Sequence, residues 1–531
     1  MTVTGTWDRA MTRRALLRTG GSLAIGMAVA DTATARAAGR PPIEGYPFAL
    51  GVASGEPRAD GVVLWTRLAP GPLVVGGGMP AARYAVRYEV ARDEAFTRLA
   101  RRGAVWSVPD EAHSVRVEVD GLRPGREYFY RFKAGGDPSP PGRTKTAPHR
   151  DAAVGAMRFA FVSCQNFPHG YFNAYADVVA QDPDGVVHLG DYIYEGPASA
   201  VRAHAPLRET VSLDDYRIRH AQYKTDADLQ AAHAALPWLV TWDDHEVDNN
   251  YAGLDADPDM PPEQFAARRA AAYRAYWEHM PLRRALKPAG PHLRLFRRLR
   301  WGDLATFNVL DTRQYRSDQP LPCTARERDP SGYCPDALAP DRTMMGAEQR
   351  DWLLRELAVT RTRWNVLANQ TGFAPFDRER NAPGRSFHPG ETWDGYVAER
   401  QHVIDAMVAA GTRNPVIITG DSHANTVRNV PPNHTDFEAP PVATEFLGTS
   451  VSSGGDPAEP FVLFDDLPDN PHTLFRNNNR GYVLCTLTPA AWTSDFRVVA
   501  TVVRRDPTAS TLASFVVEDG RPGARLAGAA V

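Results

Sequence analysis

The 531-residue sequence lacks an apolar run of the roughly 20 residues needed to span a bilayer, so no transmembrane segment is expected. It also lacks an excess of one charge, because 60 basic and 63 acidic residues give a net charge of −3. This balance argues against a stable nucleic-acid complex. A Gly-x-Ser-x-Gly motif is absent, which argues against an esterase-type serine nucleophile. The composition is otherwise that of a globular protein too long for one ordinary domain.

Cysteine is also scarce, with four residues in the whole chain. Cys323 and Cys334 lie in a polar stretch, and in an exported protein such a pair predicts a loop disulfide. Cys485 lies in an apolar, strand-like run and is predicted to be a buried free thiol. Cys164 ends another apolar strand, where a thiol is usually a small buried apolar group but could also bind a metal.

Residues 1–37 are predicted to be a twin-arginine signal peptide. Arg13 and Arg14 form the arginine pair, residues 20–30 form a mild apolar stretch, and residues 35–37 form a small-x-small cleavage site. This order predicts passage through the twin-arginine export machinery. The mature protein is therefore expected to be secreted or held in the cell envelope. Because this route exports folded proteins, it suits a protein that loads a chosen metal before it leaves the cytosol.

Two domains are predicted after the signal. Residues 41–147 contain short alternating strands separated by turn signals, which predicts an all-β N-terminal domain resembling immunoglobulin or fibronectin sandwiches. Few acid–base candidates cluster there, which favours a structural or docking role. In residues 148–531 strands alternate with helices, which predicts an α/β catalytic domain built from βαβ units.

Five apolar strands of the second region end in side chains that could bind metal ions. These side chains are Cys164, Asp191 with Tyr194, Asp244 with His245, Asn369, and Asp421 with His423. A single aspartate at a strand end usually caps the next helix. Capping gives no reason for tyrosine, cysteine and histidine at such positions. Since ligands bind at the carboxyl ends of strands in open α/β sheets, the five strand ends together predict one metal site.

The ligand types fall into two sets. Thiolate, phenolate and imidazole suit a soft or trivalent transition metal, whereas carboxylate and amide oxygens suit a hard divalent ion. One carboxylate placed between the two sets would bridge two ions. Such a pair activates water and stabilises an in-line displacement at phosphorus.

The order of motifs resembles the calcineurin-like metallophosphoesterase superfamily. The motifs are Gly190-Asp-Tyr-Ile-Tyr-Glu195, Trp242-Asp-Asp-His-Glu246 and Gly420-Asp-Ser-His423. Three departures are notable: Cys164 stands in the first ligand position, Tyr194 replaces the second aspartate, and Asp421 replaces a histidine. With these departures the chain is similar to the alkaline phosphatase D (PhoD-like) family over about residues 45–520. The resemblance implies a metallophosphoesterase-type β-sandwich flanked by helices and preceded by the all-β domain.

The resemblance also implies a metal set and its ligands. Fe(III) would be bound by Cys164, Asp191, Tyr194 and His423, and Ca(II) by Asp191, Asp244 and Asp421, with Asp191 bridging. Asn369 matches the position of a lone superfamily histidine, and Gln370 is an equal candidate on spacing. His245 would stabilise the transition state or protonate the leaving group.

Further candidates lie outside this ligand set. Asn249 or Asn250, on the loop after His245, would help to bind calcium or phosphate. Arg313 and Arg316 could clamp a phosphate, since a guanidinium binds phosphate bidentately, although arginine is also an ordinary surface residue of such a loop. The roles of Glu195 and of the segment 393–396 are less clearly indicated by the sequence. Glu195 is interpreted as an outer or surface residue, and residues 393–396 would either line the substrate cleft or pin a long loop.

The family implies a secreted alkaline phosphatase that hydrolyses phosphomonoesters and phosphodiesters by attack of a metal-bound hydroxide, without a covalent phosphoenzyme. Small phosphate esters are the expected substrates, with phospholipid head groups and nucleotides as further candidates. Two alternatives stay open. One is a phospholipase D acting at the same site, and the other is an exported binding protein without catalysis.

Overall fold

The computed structural model describes residues 41–256, 260–378, 384–387, 390–464 and 467–529. The predicted signal peptide, residues 1–37, lies outside the described residues. Within them the helices are α1 (Ala174–Gln181), α2 (Leu213–Tyr223), α3 (Ala227–Ala235), α4 (Pro262–His279), α5 (Gly346–Val359) and α6 (Val397–Ala409). No helix in these ranges has the length and hydropathy of a membrane span.

The described strands form three sheets. In spatial order, the ten-stranded sheet contains β23 (Arg521–Ala529), β22 (Ala509–Glu518), β21 (Ala491–Val499), β20 (Gly481–Leu487), β9 (Met157–Val162), β10 (Gly185–His188), β11 (Pro237–Val240), β1 (Val52–Arg58), β2 (Gly61–Arg67) and β5 (Ser114–Val119). The eight-stranded sheet contains β12 (Arg297–Trp301), β13 (Ala305–Val309), β14 (Trp364–Ala368), β15 (Pro415–Thr419), β17 (Ala443–Leu447), β16 (Asn425–Val430), β19 (Thr473–Asn477) and β18 (Val462–Phe464). The five-stranded sheet contains β4 (Leu99–Ser107), β3 (Tyr84–Ala91), β6 (Glu127–Ala134), β7 (Asp137–Pro138) and β8 (Gly142–Lys145), with β8 paired to β6.

The two larger sheets pack face to face. Phe159 on β9 meets Phe307 on β13 edge-on, with ring centroids 5.1 Å apart, and Trp492 closes on Phe159 at 5.6 Å. Along β10, Val187 points into this shared core, whereas its neighbour Val186 points into a second core with helices α1 to α4. Strands buried on both faces read as continuous apolar runs, which explains their clear sequence signal. The predicted β-sandwich flanked by helices is confirmed.

The N-terminal strands are divided between two sheets. Strand β1 pairs in parallel with β11, so β1, β2 and β5 extend the ten-stranded sheet. The five-stranded sheet packs on them through a core that includes Leu64, Val117 and Phe132. The segment is all-β, as predicted. The border between residues 147 and 148 stays a prediction, since hydrogen bonding runs continuously from β1 into β11.

The polar helical segment of residues 213–235 contains two helices, α2 and α3. The carboxylate of Asp226 accepts hydrogen bonds from the amides of Asp228 (3.1 Å) and Leu229 (3.3 Å), and this N-cap starts α3 separately from α2.

The cysteine predictions are confirmed. Cys323 and Cys334 form a disulfide, and Cys485 is a buried free thiol.

Lys224, between α2 and α3, is a buried cation. Its ammonium donates to the Tyr192 hydroxyl at 3.1 Å and lies 4.5 Å from the ring centroid of Trp65 and 3.4 Å from His233 Nε2. No carboxylate of the described residues forms an ion pair with it. Burial lowers the pKa of Lys224 to about 7.

Replacing Lys224 by methionine is expected to stabilise the fold at neutral pH. An unfolded lysine titrates near pH ~10.4, so between about pH 7 and that value the folded wild type binds fewer protons than the unfolded chain, and its stability rises with pH. Lys224→Met removes this pH dependence of the free energy of unfolding. The variant is expected to be more stable than wild type by on the order of a few kcal/mol at pH ~7, and the difference should vanish near pH ~10. Urea unfolding across this window measures it, and the exposed Lys287→Met is the control. Parallel pH profiles for wild type and Lys224→Met would contradict the prediction.

Candidate metal centre

The site lies where the carboxyl ends of both large sheets meet. Strands β9, β10 and β11 run parallel, so Cys164, Asp191 and Asp244 leave the ten-stranded sheet at one edge. Strands β14 and β15 are also parallel, which places Asn369 and Asp421 at the corresponding edge of the other sheet. Face-to-face packing of the sheets then joins residues that are far apart in the sequence.

The backbone at this edge is unusual. Five non-glycine residues of the site have φ between +53° and +66°, a backbone conformation that residues other than glycine rarely adopt. They are Cys164, Asp191, Asn250, Asp421 and His423. Such conformations persist only where the surroundings hold them, and they concentrate at functional sites. Gly190 has a different constraint, because a Cβ atom there would collide with the side chain of Asp243.

One group of ligand atoms forms around Cys164. Its thiol, a carboxylate oxygen of Asp191 and a ring nitrogen of His423 all lie within 4.8 Å of one another. The Tyr194 hydroxyl lies 2.8 Å from Asp191 Oδ2 and 3.2 Å from His423 Nε2. Ser453, which the sequence patterns do not single out, places its Oγ 2.7 Å from the Tyr194 oxygen. The structure therefore brings together the four residues predicted to bind iron.

Two further groups lie beside the first. Asp191, Asp244 and His245 form one, and Asp243, Asp244 and Asp421 form the other, each with ligand atoms within 4.8 Å of one another. Asp191 belongs to the cysteine-containing group and to the Asp191–Asp244–His245 group, which is the position expected of a bridging ligand, while Asp244 belongs to both further groups. Asp243 is absent from the predicted set, although it directly precedes Asp244 in the motif.

The donor atoms fit cations. Asp191 Oδ1 and Asp244 Oδ1 are buried and have no hydrogen-bond partner, although Asp244 Oδ1 lies 3.4 Å from a guanidinium nitrogen of Arg313. A buried carboxylate oxygen without a donor is costly, whereas a metal ion would satisfy it. Each of these two oxygens belongs to a residue that two ligand groups share.

The ionisation of the softer ligands also points to a cation. Burial and then the charge of Asp191 raise the pKa values of both Cys164 and Tyr194 well above their ordinary range. A thiolate and a phenolate would therefore form here only if a metal ion replaced the protons. Burial, with the charge of Arg480, lowers the pKa of His423 to about 3, so its imidazole is neutral, the form that binds metals.

The two amide candidates have different surroundings. The amide nitrogen of Gln370 donates to Thr241 Oγ1 at 2.9 Å, and its oxygen accepts one hydrogen bond, from Thr312 at 2.8 Å. Asn369 Oδ1 also accepts one hydrogen bond, from Trp393 Nε1 at 3.3 Å. Each amide oxygen retains a second lone pair, so both residues stay predicted candidates for the ligand.

Arg313 lies beneath the carboxylates. Its guanidinium is fully buried, pairs with Asp243, lies 2.6 Å from Glu391 Oε2 and lies 3.3 Å from Asp421 Oδ1. Because these carboxylates occupy its donors, the arrangement favours a structural role that offsets negative charge. It does not support the predicted phosphate clamp.

The guanidinium of Arg316 is also occupied by hydrogen bonds within the protein. It is buried, and its guanidinium donates to the carbonyls of Asn250 at 2.6 Å and Glu391 at 3.3 Å. This favours a loop-holding role over the predicted substrate contact. Asn250 itself lies at the site, since its backbone amide donates to Asp244 Oδ2 at 2.6 Å. Its role toward a ligand stays a prediction.

Glu195 is buried rather than superficial, with 6 % of its surface exposed. Its Oε2 lies 2.7 Å from His245 Nδ1, and its Oε1 accepts from the amide of Asn249 at 3.0 Å. Burial alone would lower the pKa of His245, but the charges of Glu195, Asp191 and Asp244 raise it well above the ordinary value. Of the two interpretations of Glu195, the surface residue is therefore wrong, whereas its contact with His245 from outside the ligand groups agrees with the outer position. Glu195 orients the imidazole and favours its protonated form.

Glu246 is another residue whose role only the structure reveals. Its carboxylate accepts hydrogen bonds from the backbone amides of Asp191 (3.1 Å), Tyr192 (2.5 Å) and Asp243 (2.8 Å). It thus ties the loop after β10 to the loop after β11. This bond network holds the shared aspartate in position.

A cleft of about 490 Å³ opens onto these ligands. Asp421 and His423 lie in its wall, together with Phe376 and Arg428. Its size suits a small phosphate ester. Within the segment 393–396, Trp393 is buried and its amide donates to the carbonyl of Gly372 at 3.1 Å, which holds the loop, while Asp394 lies in the wall of this cleft.

Comparison with known proteins gives a consistent assignment. A family model described as PhoD-like phosphatase matches residues 159–496, and a model of the PhoD-like phosphatase N-terminal domain matches residues 32–148. Alkaline phosphatase D of Bacillus subtilis (strain 168) is 46% identical over 514 residues, which cover 95% of this chain and 86% of that protein. A solved structure of PhoD matches with a TM-score of 0.85 and 45% identity, covering 93% of this chain and 94% of that one.

Proposed function

The chain belongs to the PhoD-like phosphatase family, and on that premise we propose that it is a secreted alkaline phosphatase that hydrolyses phosphomonoesters and phosphodiesters at a bimetal site. It is a phosphoric-ester hydrolase and depends on metal. We propose Fe(III) and Ca(II) as the metals. Export rests on the twin-arginine pattern of residues 1–37.

The observation that carries this proposal is the sorting of ligands about Asp191. The thiol of Cys164, the phenol of Tyr194 and the imidazole of His423 would hold the ferric ion, while Asp244 and Asp421 would hold the calcium ion. Asn369 or Gln370 remains the candidate for a further oxygen ligand. When bound, two such ions activate water and stabilise charge on the phosphoryl oxygens.

The chain's own groups supply the proton chemistry. Glu195 occupies Nδ1 of His245, so Nε2 is the nitrogen left to act on a substrate. The Glu195 carboxylate, which lies outside the ligand set, favours the protonated imidazole, and this form would suit proton donation to the leaving oxygen. The ring of Tyr194 lies 4.1 Å from the His245 ring, centroid to centroid, and limits its rotation. Small phosphate esters remain the proposed substrates.

Family membership does not favour the two alternatives. A phospholipase D would use the same ligands but a different leaving group, so phosphatidylcholine is the substrate that tests it. An exported binding protein without catalysis gives no reason for a buried histidine–glutamate pair beside the carboxylates.

Metal analysis and a visible spectrum of protein purified after export test the proposed metals. Iron and calcium are expected in the preparation, and an iron–phenolate or iron–thiolate bond should give a charge-transfer colour. Tyr194→Phe and Cys164→Ser are each expected to shift or remove that colour. Tyr482→Phe and Cys485→Ser, which change a phenol bound to Asp177 and a thiol beside Ser494, should leave it unchanged. A colourless, iron-free enzyme with full activity would overturn the assignment of iron.

Replacing Glu195 by glutamine is expected to lower kcat by about 10- to 100-fold with little change in KM. The amide keeps the shape of the side chain but removes the charge that orients His245 and supports its protonated form. Steady-state kinetics on an alkyl phosphate such as glycerol 2-phosphate, whose leaving oxygen needs a proton, measure the loss, and metal content should stay at the wild-type level. Glu399→Gln, at a buried carboxylate that holds Thr343, is the matched control. A rise in KM at constant kcat would contradict a role for Glu195 in the chemical step.

A further inference from the structure

Residues 448–455, called the serine loop, follow strand β17 and have the sequence Gly-Thr-Ser-Val-Ser-Ser-Gly-Gly. A run of serine and glycine without charge is typical of an exposed turn or linker. The serines of this loop, Ser450, Ser452 and Ser453, are instead fully buried. Since the proposed ligands and proton donor all lie outside the loop, the proposed function leaves the burial of these hydroxyl groups without an explanation.

The serine loop is hydrogen-bonded to the backbone of two proposed iron ligands. The carbonyl of Cys164 accepts a hydrogen bond from the amide of Ser453 at 3.1 Å. The carbonyl of His423 accepts one from Thr449 Oγ1 at 3.2 Å and another from a guanidinium nitrogen of Arg480 at 2.6 Å. Both ligands have left-handed backbone conformations, with φ of +59° at Cys164 and +53° at His423. Because such conformations persist only where the surroundings hold them, the loop supports the geometry of the site.

Ser453 also contacts a third proposed iron ligand through its side chain. Its Oγ lies 2.7 Å from the Tyr194 hydroxyl oxygen and 2.7 Å from the carbonyl oxygen of Cys164, and it accepts a hydrogen bond from the amide of Asn166 at 3.1 Å. The Tyr194 hydroxyl uses its own proton on Asp191 Oδ2, at 2.8 Å. Ser453 is therefore the donor in its contact with Tyr194. A serine hydroxyl carries one proton, so Tyr194 and the Cys164 carbonyl compete for it.

The two acceptors differ in charge when Tyr194 binds a metal ion. As a ligand Tyr194 is a phenolate whose proton has gone to solvent, whereas the Cys164 carbonyl stays neutral. Hydrogen bonds to an ionised acceptor are roughly twice as strong as those between neutral groups. The single proton of Ser453 therefore favours the phenolate oxygen, and it fixes the position of that oxygen and stabilises its charge.

We propose that Ser453 is a positioning residue of the metal centre, whose hydroxyl donates a hydrogen bond to the phenolate oxygen of Tyr194 and thereby holds this ligand in its metal-binding form. The inference rests on the proposed function, because it takes Tyr194 as a metal ligand. Ser452 provides the contrast within the same loop. Its buried Oγ donates to the carbonyl of Asn166 at 2.9 Å, and Asn166 is not a proposed ligand.

The visible spectrum and the metal affinity of the exported holoenzyme test this role. In Ser453→Ala the charge-transfer band is expected at longer wavelength than in wild type, because the phenolate electrons lose a stabilising hydrogen bond. Affinity for the metal, measured by competition with EDTA and elemental analysis, is expected to fall about tenfold or more. Ser452→Ala is the matched control, because it removes a buried hydroxyl from the same loop. It should match wild type in both measurements.

A Tyr194→Phe background separates a contact with the phenolate from a general effect on the loop. Without the phenolate oxygen, Ser453→Ala is expected to cause no further change in the remaining colour or in the metal affinity. Equal changes in both backgrounds would overturn the proposal, because Ser453 would then act through the loop or through the Cys164 carbonyl. A wild-type spectrum and wild-type metal affinity in Ser453→Ala would also overturn it.

Elemental analysis distinguishes failure of this inference from failure of the proposed metals. If the wild-type protein holds a metal other than iron, the assignment of iron fails. The competition with EDTA still tests Ser453 in that case, because it depends on the phenolate of Tyr194 and not on which metal is bound. If Tyr194→Phe binds the metal as tightly as wild type does, Tyr194 is not a ligand, and the role assigned to Ser453 is overturned with it.

Discussion

Replacing Asp191 by asparagine is expected to abolish metal binding and to lower phosphatase activity by about a thousandfold or more. Asp191 is the one residue shared by the cysteine-containing ligand group and a carboxylate group, and its Oδ1 has no protein partner. Asparagine keeps the size of the side chain but removes the charge and one of the two acceptor oxygens. Both proposed ions therefore lose a ligand in one substitution.

The measurement is metal content by elemental analysis together with kcat/KM on 4-nitrophenyl phosphate. Asp311→Asn is the matched control, because Asp311 also follows a buried strand but accepts hydrogen bonds from protein groups, including Gln314 Nε2 at 3.0 Å. The control should keep its metal and most of its activity. Loss of one metal alone in Asp191→Asn would argue against a bridging position, and retained activity would rule it out.

Replacing His245 by glutamine is expected to lower kcat by about 10²- to 10⁴-fold while metal content stays near the wild-type level. His245 Nδ1 is held by Glu195, and carboxylates on several sides favour its protonated form. Glutamine still donates a hydrogen bond but cannot deliver a proton to a leaving oxygen. The loss should therefore be greatest for substrates with poor leaving groups.

A series of aryl and alkyl phosphates measures this dependence. With a leaving group of low pKa, such as 4-nitrophenol, the deficit of His245→Gln should shrink, because the leaving oxygen needs no proton. His204→Gln, at a buried histidine that contacts Gly196 O and Tyr223, serves as the control. If His245→Gln loses metal in proportion to activity, the residue acts as a ligand rather than as an acid, a role that its place in the Asp191–Asp244 group also allows.

The role of Glu195 shows how the site depends on contacts between distant segments. In the sequence it is one more acidic residue after Tyr194, with no partner in view. In the structure it meets His245, which lies 50 residues further along the chain. The contacts of Arg313 are also distant in the sequence, because its partners Asp243 and Asp421 lie 70 and 108 residues away. No local pattern carries such pairings.

Two local features of the fold have no clear signal in the sequence, for physical reasons. Strand β1 (Val52–Arg58) contains Gly55 and Pro57, both poor strand formers, and is stabilised by pairing with β11 and β2. Helices α2 and α3 are separate because Asp226 caps the start of α3. In the sequence Asp226 cannot be told apart from an ordinary polar residue on the surface of a helix.

The sequence by itself determined the sandwich strands, the helices α4 and α5, and the chemical types of the ligands. Strands buried on both faces must be apolar throughout, and their polar ends stand out against that background. Only the tertiary structure decided which polar groups share a partner: the orientation of His245 by Glu195, the bracing of two loops by Glu246, and the burial of Arg313. These contacts depend on which side chains are buried and on the distances between strand ends. The face-to-face packing of the two large sheets determines the burial and the distances.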